Sequence, residues 1–347
     1  ARAGWSLPGA PESCQTGPAL HPAVPAISFL PPGASVMMRT LGLILLLLAI
    51  VAGIAWFVFG RGGSGPAPEA AIDSPWWSAQ DRLVDVDGVT ARVRVEGPDD
   101  APVIVMIHGF SFSLESWDDW ADALSANYRV VRMDLPGHGL TGPDPQARYS
   151  VPQTVEFLGG LMDAMDIDRA TLVGNSLGGL VAWRYAADHG DRVEKLVLVA
   201  PGGFSINGVT EEPVDVPVGV RFYLTQGPQP VVAGATAALF GDPARMDPDL
   251  PGRVHGLMQG EGVGEALVER LEVFTLPAPE ADLARVTVPA LILWGGRDGM
   301  VPVDHAARFE AAMPDAQLVV YDDLGHIPHE EAPDRTLEDV RAFLAEN

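Results

Sequence analysis

The sequence predicts an α/β fold: a mostly parallel eight-stranded sheet with helices on both faces, a helical cap inserted late in the chain, and an N-terminal transmembrane helix ahead of both. Three observations carry this reading. Eight short apolar runs alternate with helical stretches. A long segment without a good strand separates the sixth run from the seventh. Residues 41–59 hold no charged side chain.

Residues 1–36 are rich in Pro, Gly and Ala, show no periodicity, and precede Met37-Met38-Arg39. They are expected to be a disordered or non-native extension, with the natural start at Met37 or Met38. As a helix, residues 41–59 would span roughly 28 Å, close to the hydrocarbon thickness of a bilayer. Trp56 and Phe57 stand near one end, where an aromatic belt would lie. A cleaved signal has a shorter apolar region ending in small residues, so residues 37–61 are expected to be a retained single-pass anchor. Arg39 and Arg61 flank it, and the domain beyond is expected outside the cytoplasm, in the periplasm. Residues 62–80 then form a linker that starts rich in Gly, Pro and Ser.

Next come two strand-like runs, 83–86 and 89–95, joined near Asp87-Gly88 as a hairpin. Residues 103–107 are wholly apolar, as a strand buried on both faces should be. Further runs lie at 130–133, 171–173, 196–199, 291–293 and 318–321. Helical patterns cover 117–126, 155–165, 177–188, 304–313 and 336–345. Trp117 and Trp120 fall in the first of these and are expected to pack in the core. The core is therefore assigned to 81–202 and 286–347, and the insertion 203–285 to a cap subdomain.

The net charge of −24, from 46 acidic and 22 basic residues, argues against nucleic acid as a partner. The single cysteine, Cys14, lies outside the catalytic region, which leaves that region no disulfide, thiolate nucleophile or thiolate metal site. No metal-ligand cluster and no phosphate-cradling loop stands out, so no cofactor is expected.

The strongest motif is Gly174-Asn175-Ser176-Leu177-Gly178, directly after the run 171–173 and at the start of a helical pattern. A serine at such a sharp strand-to-helix turn needs flanking residues without side chains, and its hydroxyl is exposed above the sheet as a nucleophile. His108-Gly109-Phe110 follows the strand 103–107. The backbone N–H groups of Phe110 and Leu177 are therefore candidate donors to an oxyanion. His108 is read as a structural hydrogen-bonding residue. Asp298 follows the run 291–293 and a Gly295-Gly296 turn, which places a carboxylate at the ligand-binding edge of the sheet. Helix capping is its alternative role, as for Asp304. His326 follows the last strand and a turn glycine, Gly325, and is the candidate base. The rival His329 is expected at the surface. A serine hydroxyl needs a base at neutral pH, and the base needs a carboxylate to fix its tautomer.

The order Ser176, Asp298, His326, with each residue after a strand, resembles the α/β-hydrolase superfamily from about Leu83 to the C-terminus. Asp134-Leu-Pro-Gly137-His138-Gly139 and Gly325-His326 with Pro328, Glu331 and Pro333 are similar to two of that family's loops. The resemblance implies that the insertion shapes substrate entry. Gly-Asn-Ser-Leu-Gly-Gly resembles both carbon–carbon bond hydrolases of aromatic degradation and esterases or lactonases. Phe110-Ser111-Phe112-Ser113 and Ile327 depart from the carbon–carbon hydrolase pattern, and a serine nucleophile argues against dehalogenases and epoxide hydrolases.

The expected function is therefore a membrane-anchored serine hydrolase cleaving esters or lactones of neutral, apolar small molecules. The alternatives are a carbon–carbon bond hydrolase and a non-catalytic binding protein. Within the cap, Phe222, Tyr223, Leu224, Leu257, Met258, Leu271 and Phe274 are candidates for an apolar pocket. Arg221 or Arg253 would be the reader of an anionic substrate.

Overall fold

The computed structural model describes residues 71–346. The N-terminal extension, the expected anchor and residues 62–70 of the expected linker lie outside the described residues. Among the described residues no helix is long and apolar enough to cross a membrane. Residues 71–80 pack onto the domain: Ala71 is buried, and the Trp76 carbonyl accepts a hydrogen bond from Arg92.

The strands are β1 (Asp81–Val86), β2 (Val89–Glu96), β3 (Val103–Ile107), β4 (Arg129–Met133), β5 (Ala170–Asn175), β6 (Val193–Val199), β7 (Ala290–Gly295) and β8 (Ala316–Tyr321). They form one eight-stranded sheet in the order β1-β2-β4-β3-β5-β6-β7-β8. Only β1–β2 and β2–β4 pair antiparallel. Asp87 and Gly88 both have positive φ, 50° and 83°, as the tight β1–β2 hairpin requires. Two strands begin earlier than their apolar runs although the added residues break the hydrophobic pattern: Asp81 and Arg82 pair with Arg94 and Val93, and β6 starts at Val193, with Glu194-Lys195 at an irregularity in the β5–β6 register.

Helices cover both faces. They are α1 (Asp118–Leu124), α2 (Val151–Ala164), α3 (Leu177–Asp188), α4 (Val218–Gln226), α5 (Gln229–Ala237), α6 (Leu250–Met258), α7 (Val263–Glu272), α8 (Glu280–Leu283), α9 (Asp304–Ala312), α10 (Pro328–Glu331) and α11 (Pro333–Ala345). Helix α2 starts four residues before its predicted onset, because Ser150 and Gln153 form a reciprocal capping box. Side chains alternate between faces along the central strands. Val105 and Ile107 join one apolar cluster, whereas Ile104 and Met106 join the other together with Trp117 and Trp120. The chain between β6 and β7 is helical. Leu224, Val232, Leu250, Val254, Met258, Val263 and Leu267 give it a core of its own, which also takes in Phe112 and Ile327 from loops of the main domain.

A buried ionic network closes the β1–β2 end of the sheet. Arg92 contacts Asp81 at 2.7 Å, Glu115 at 2.5 Å and Asp134 at 3.2 Å, while Arg94 contacts Asp81 at 2.5 Å. Asp134 also accepts the N–H of Leu114 and of Leu140, so the network fixes the loop after β4 and the segment that follows residue 110. Removing one partner of such a set strands the others in a dry interior. Arg92→Met should lower stability by about 3–5 kcal/mol, read from urea unfolding. A loss below about 1 kcal/mol would show that the carboxylates are hydrated without it.

Candidate active site

Ser176 stands between the last residue of β5 and the first of α3 with φ 51° and ψ −110°, a backbone held only where its surroundings enforce it. The enforcement comes from close approach. A Cβ on Gly178 would lie 2.6 Å from the carbonyl carbon of Ile107, and one on Gly174 would lie 2.5 Å from the carbonyl carbon of Gly178. The Ser176 N–H donates to the Val199 carbonyl at 3.0 Å, and its own carbonyl accepts from Leu180 and Gly202.

His326 Nδ1 lies 2.8 Å from Asp298 Oδ2. The other Asp298 oxygen accepts the N–H of Met300 at 2.8 Å and of Val301 at 2.9 Å, and the carboxylate side chain is fully buried. Both oxygens are thus committed, and the Nδ1 proton of His326 is held toward Asp298. That leaves Nε2 as the free nitrogen, on a residue that lines the same cavity of about 210 Å³ as Ser176. Asp304 is exposed in the first turn of α9 and stands apart from this site.

Phe110 also lines the cavity, and Leu177 opens α3. Among the described residues neither backbone N–H donates to another group of the protein, so both donors remain available to an oxyanion.

Three further histidines near the site, His108, His138 and His329, are buried. His108 Nε2 accepts the Leu135 N–H at 3.0 Å, so its proton sits on Nδ1, 2.7 Å from the Gly109 carbonyl; burial pushes its pKa down to about 4. His138 packs edge-on against the Phe110 ring, and burial holds it well below the ordinary histidine range. His329 corrects the expectation of a surface residue. Helix α10 turns it inward, stacked on Trp117 at 4.3 Å, with Nε2 3.1 Å from Ser116 Oγ and its pKa pushed down to about 3 by burial.

Of the cap residues expected in a pocket, Tyr223 lines the cavity. Leu224, Leu257 and Met258 are buried, Leu271 packs against the cap core, Phe274 packs against the main core, and Phe222 is half exposed. Sequence reasoning passed over Thr236, Leu239, Val254 and Met300, which complete the wall. Ser111, read only as part of the loop after β3, is held at φ 61° beside Phe110 and lines the cavity. Asn175 was read only as part of the serine motif. Its side-chain amide donates to the carbonyls of Val199 at 3.0 Å and His326 at 3.3 Å, tying the end of β5 to β6 and to the loop that carries His326.

Residues 102–333 match the family model for the alpha/beta hydrolase fold. The chain is 30% identical over 286 residues to an uncharacterized protein of Mycobacterium tuberculosis, covering 75% of this chain and 79% of that one. It is 26% identical to the 2-hydroxy-6-oxo-6-phenylhexa-2,4-dienoate hydrolase of Burkholderia cepacia, covering 68% and 85%. Among solved structures, a bacterial membrane phospholipase A is similar with a TM-score of 0.65 at 27% identity, covering 88% of this chain and 98% of that one.

If Ser176, His326 and Asp298 act as a unit, Ser176→Ala should leave less than about a thousandth of wild-type turnover in a folded protein. Asp298→Asn should lower turnover by roughly ten-thousand-fold, while Asp304→Asn should have little effect. Comparable rates for the two asparagine variants would move the acid elsewhere.

The buried imidazoles also set a pH dependence of stability. An unfolded histidine titrates near 6.5, against about 4 for folded His108 and about 3 for folded His329. Between those values the unfolded chain binds protons that the folded chain refuses, so stability rises with pH through this window and is fully present above about 6.5. Each such imidazole should cost about 2 kcal/mol on going from pH 7 to pH 5, and His329→Gln should shrink the drop in urea-derived stability by about that amount. An undiminished drop would mean that His329 takes up a proton without unfolding.

Proposed function

From the premise that the chain belongs to the alpha/beta hydrolase fold family, we propose that it is a membrane-anchored serine hydrolase cleaving carboxylic esters or lactones of neutral, apolar small molecules. Ser176 Oγ attacks the carbonyl while His326 Nε2 takes its proton, and Asp298 stabilises the imidazolium. The N–H groups of Phe110 and Leu177 hold the oxyanion. Collapse expels the alcohol, which leaves with the proton from His326, and water then releases the acid from the acyl-enzyme by the same steps.

The observation that carries the substrate class is the composition of the cavity wall. Phe110, Phe112, Leu239, Val254, Met300 and Ile327 surround the serine, and among the described residues no Asp, Glu, Lys or Arg lines the cavity. Arg221 pairs with Glu272, and Arg253 lies 3.9 Å from Glu330; neither reaches the wall. A net charge of −24 further lowers the concentration of anions near the cleft. The carbon–carbon hydrolase reading finds support in the Burkholderia cepacia relative, but that relative's named substrate is a carboxylate, and this cavity offers no cation to pair with one. A binding protein would have no use for a buried carboxylate aimed at the imidazole beside two free N–H donors.

The membrane attachment rests on the uncharged run 41–59 and accords with the similarity to a membrane phospholipase. The periplasmic placement rests on Arg39 and an amino terminus at Met37 or Met38 on one side of that run, against Arg61 on the other.

A fluorophosphonate should label Ser176. A neutral acyl ester should be hydrolysed more than about tenfold more efficiently than its analogue ending in a carboxylate, because the charged end would be desolvated without a partner. Equal efficiency at low salt, or a faster rate for the anion, would contradict the neutral-substrate reading. Faster cleavage of a vinylogous diketone than of any ester would favour the carbon–carbon reading.

A further inference from the structure

The proposed chemistry needs His326 held in place, and a second buried carboxylate holds it. Glu331, on α10, has a side chain shielded from solvent. Its Oε2 accepts the N–H of Gly325 and of Gly241, each at 2.8 Å, and its Oε1 accepts the N–H of Asp242 at 2.9 Å. The Arg245 guanidinium stands 3.4 Å from the same oxygen. Gly325 immediately precedes the base, whereas Gly241 and Asp242 belong to the cap segment that leaves α5. The main chain adds one more stitch: the His326 N–H donates to the Leu239 carbonyl at 2.7 Å. The two segments touch through glycines, since a Cβ on Gly241 would lie 2.5 Å from the Asp323 carbonyl oxygen and 2.9 Å from Gly325 N.

Segments 239–242 and 325–326 are thereby joined through the Glu331 carboxylate and by one direct main-chain hydrogen bond. The same stretch of cap supplies Ala235, Thr236 and Leu239 to the cavity wall. We propose that Glu331 is a positioning residue that couples the cap to the general base, so that an acyl group filling the cavity against α5 sets the place of His326. This rests on the serine-hydrolase reading and extends it: substrate bulk is read in kcat rather than in KM. Three backbone donors on one side chain need the two acceptor oxygens of a carboxylate. Glutamine at 331 keeps one carbonyl oxygen and turns an NH₂ toward at least one N–H, which loosens the joint.

The test uses the full chain as wild type, Glu331→Gln and Glu331→Asp. It measures the rate of Ser176 phosphonylation across pH, and kcat and KM for short and long neutral esters. Glu331→Gln should lower kcat by about 100-fold, as expected for a base displaced by about an ångström. KM should stay within about threefold, because ground-state contacts remain. The pH midpoint of phosphonylation should fall, since a base less firmly seated against Asp298 loses support for its imidazolium. The kcat advantage of long over short acyl chains should collapse, and Glu331→Asp should recover part of it.

Wild type that fails to take the phosphonate sinks the serine-hydrolase reading itself. Wild type that reacts, beside a Glu331→Gln protein with unchanged rate, pH midpoint and chain-length ratio, overturns the positioning role alone. Should both variants fail to fold, hydrogen exchange on wild type decides. Phosphonylation of Ser176 should raise protection of the amides of Gly241, Asp242 and Gly325 together, and a change at Gly325 without the other two overturns the coupling.

Discussion

The strained turn at Ser176 is the constraint on which the rest depends. A serine at φ 51° costs on the order of 1–3 kcal/mol and persists only because its surroundings permit no alternative. Glycines on either side let α3 come down onto the end of β3, where the Ile107 and His108 carbonyls leave no room for a side chain. That one approach sets Ser176 at the cavity and leaves the Leu177 N–H without an acceptor among the described residues. It also brings the loop after β3, with Phe110, to the same cavity.

Electrostatics then separate one histidine from the others. His108, His138 and His329 are all buried without a carboxylate bonded to the ring, and burial keeps each of them neutral. His326 is the histidine whose Nδ1 meets an aspartate, and that aspartate has its second oxygen tied to two backbone N–H groups. His326 is thus the imidazole of these four with a carboxylate set against its ring, while the neighbouring imidazoles bond to main-chain or hydroxyl groups. The cavity wall follows the same rule, since its charged neighbours are paired away from it.

Much of this was legible in the sequence, and the reason is local. Gly174 and Gly178 around Ser176, the Gly295-Gly296 turn before Asp298 and Gly325 before His326 each follow an apolar run, and a strand end with a turn is a short-range pattern. What escaped needed partners distant in sequence. Glu331 reaches Gly241 and Asp242, Asn175 reaches the carbonyl of His326, and Arg92 gathers Asp81, Glu115 and Asp134. His329 was misplaced for the same reason, because nothing near it in sequence announces the stack on Trp117. The long insertion between β6 and β7 was recognisable by its extent, but amphipathic short helices do not reveal which apolar residue faces the cavity and which faces its neighbours. Tyr223 and Leu224 are adjacent, and one lines the cavity while the other is cap core.

The most direct test of the central claim is to trap the acyl-enzyme. Wild-type protein mixed with a neutral chromogenic ester and quenched in acid within the first turnover should carry one acyl group, and peptide mass spectrometry should place it on Ser176. The adduct should form as fast as the alcohol is released. Alcohol release in a burst with no adduct on Ser176, or with the acyl group on another side chain, would contradict the account.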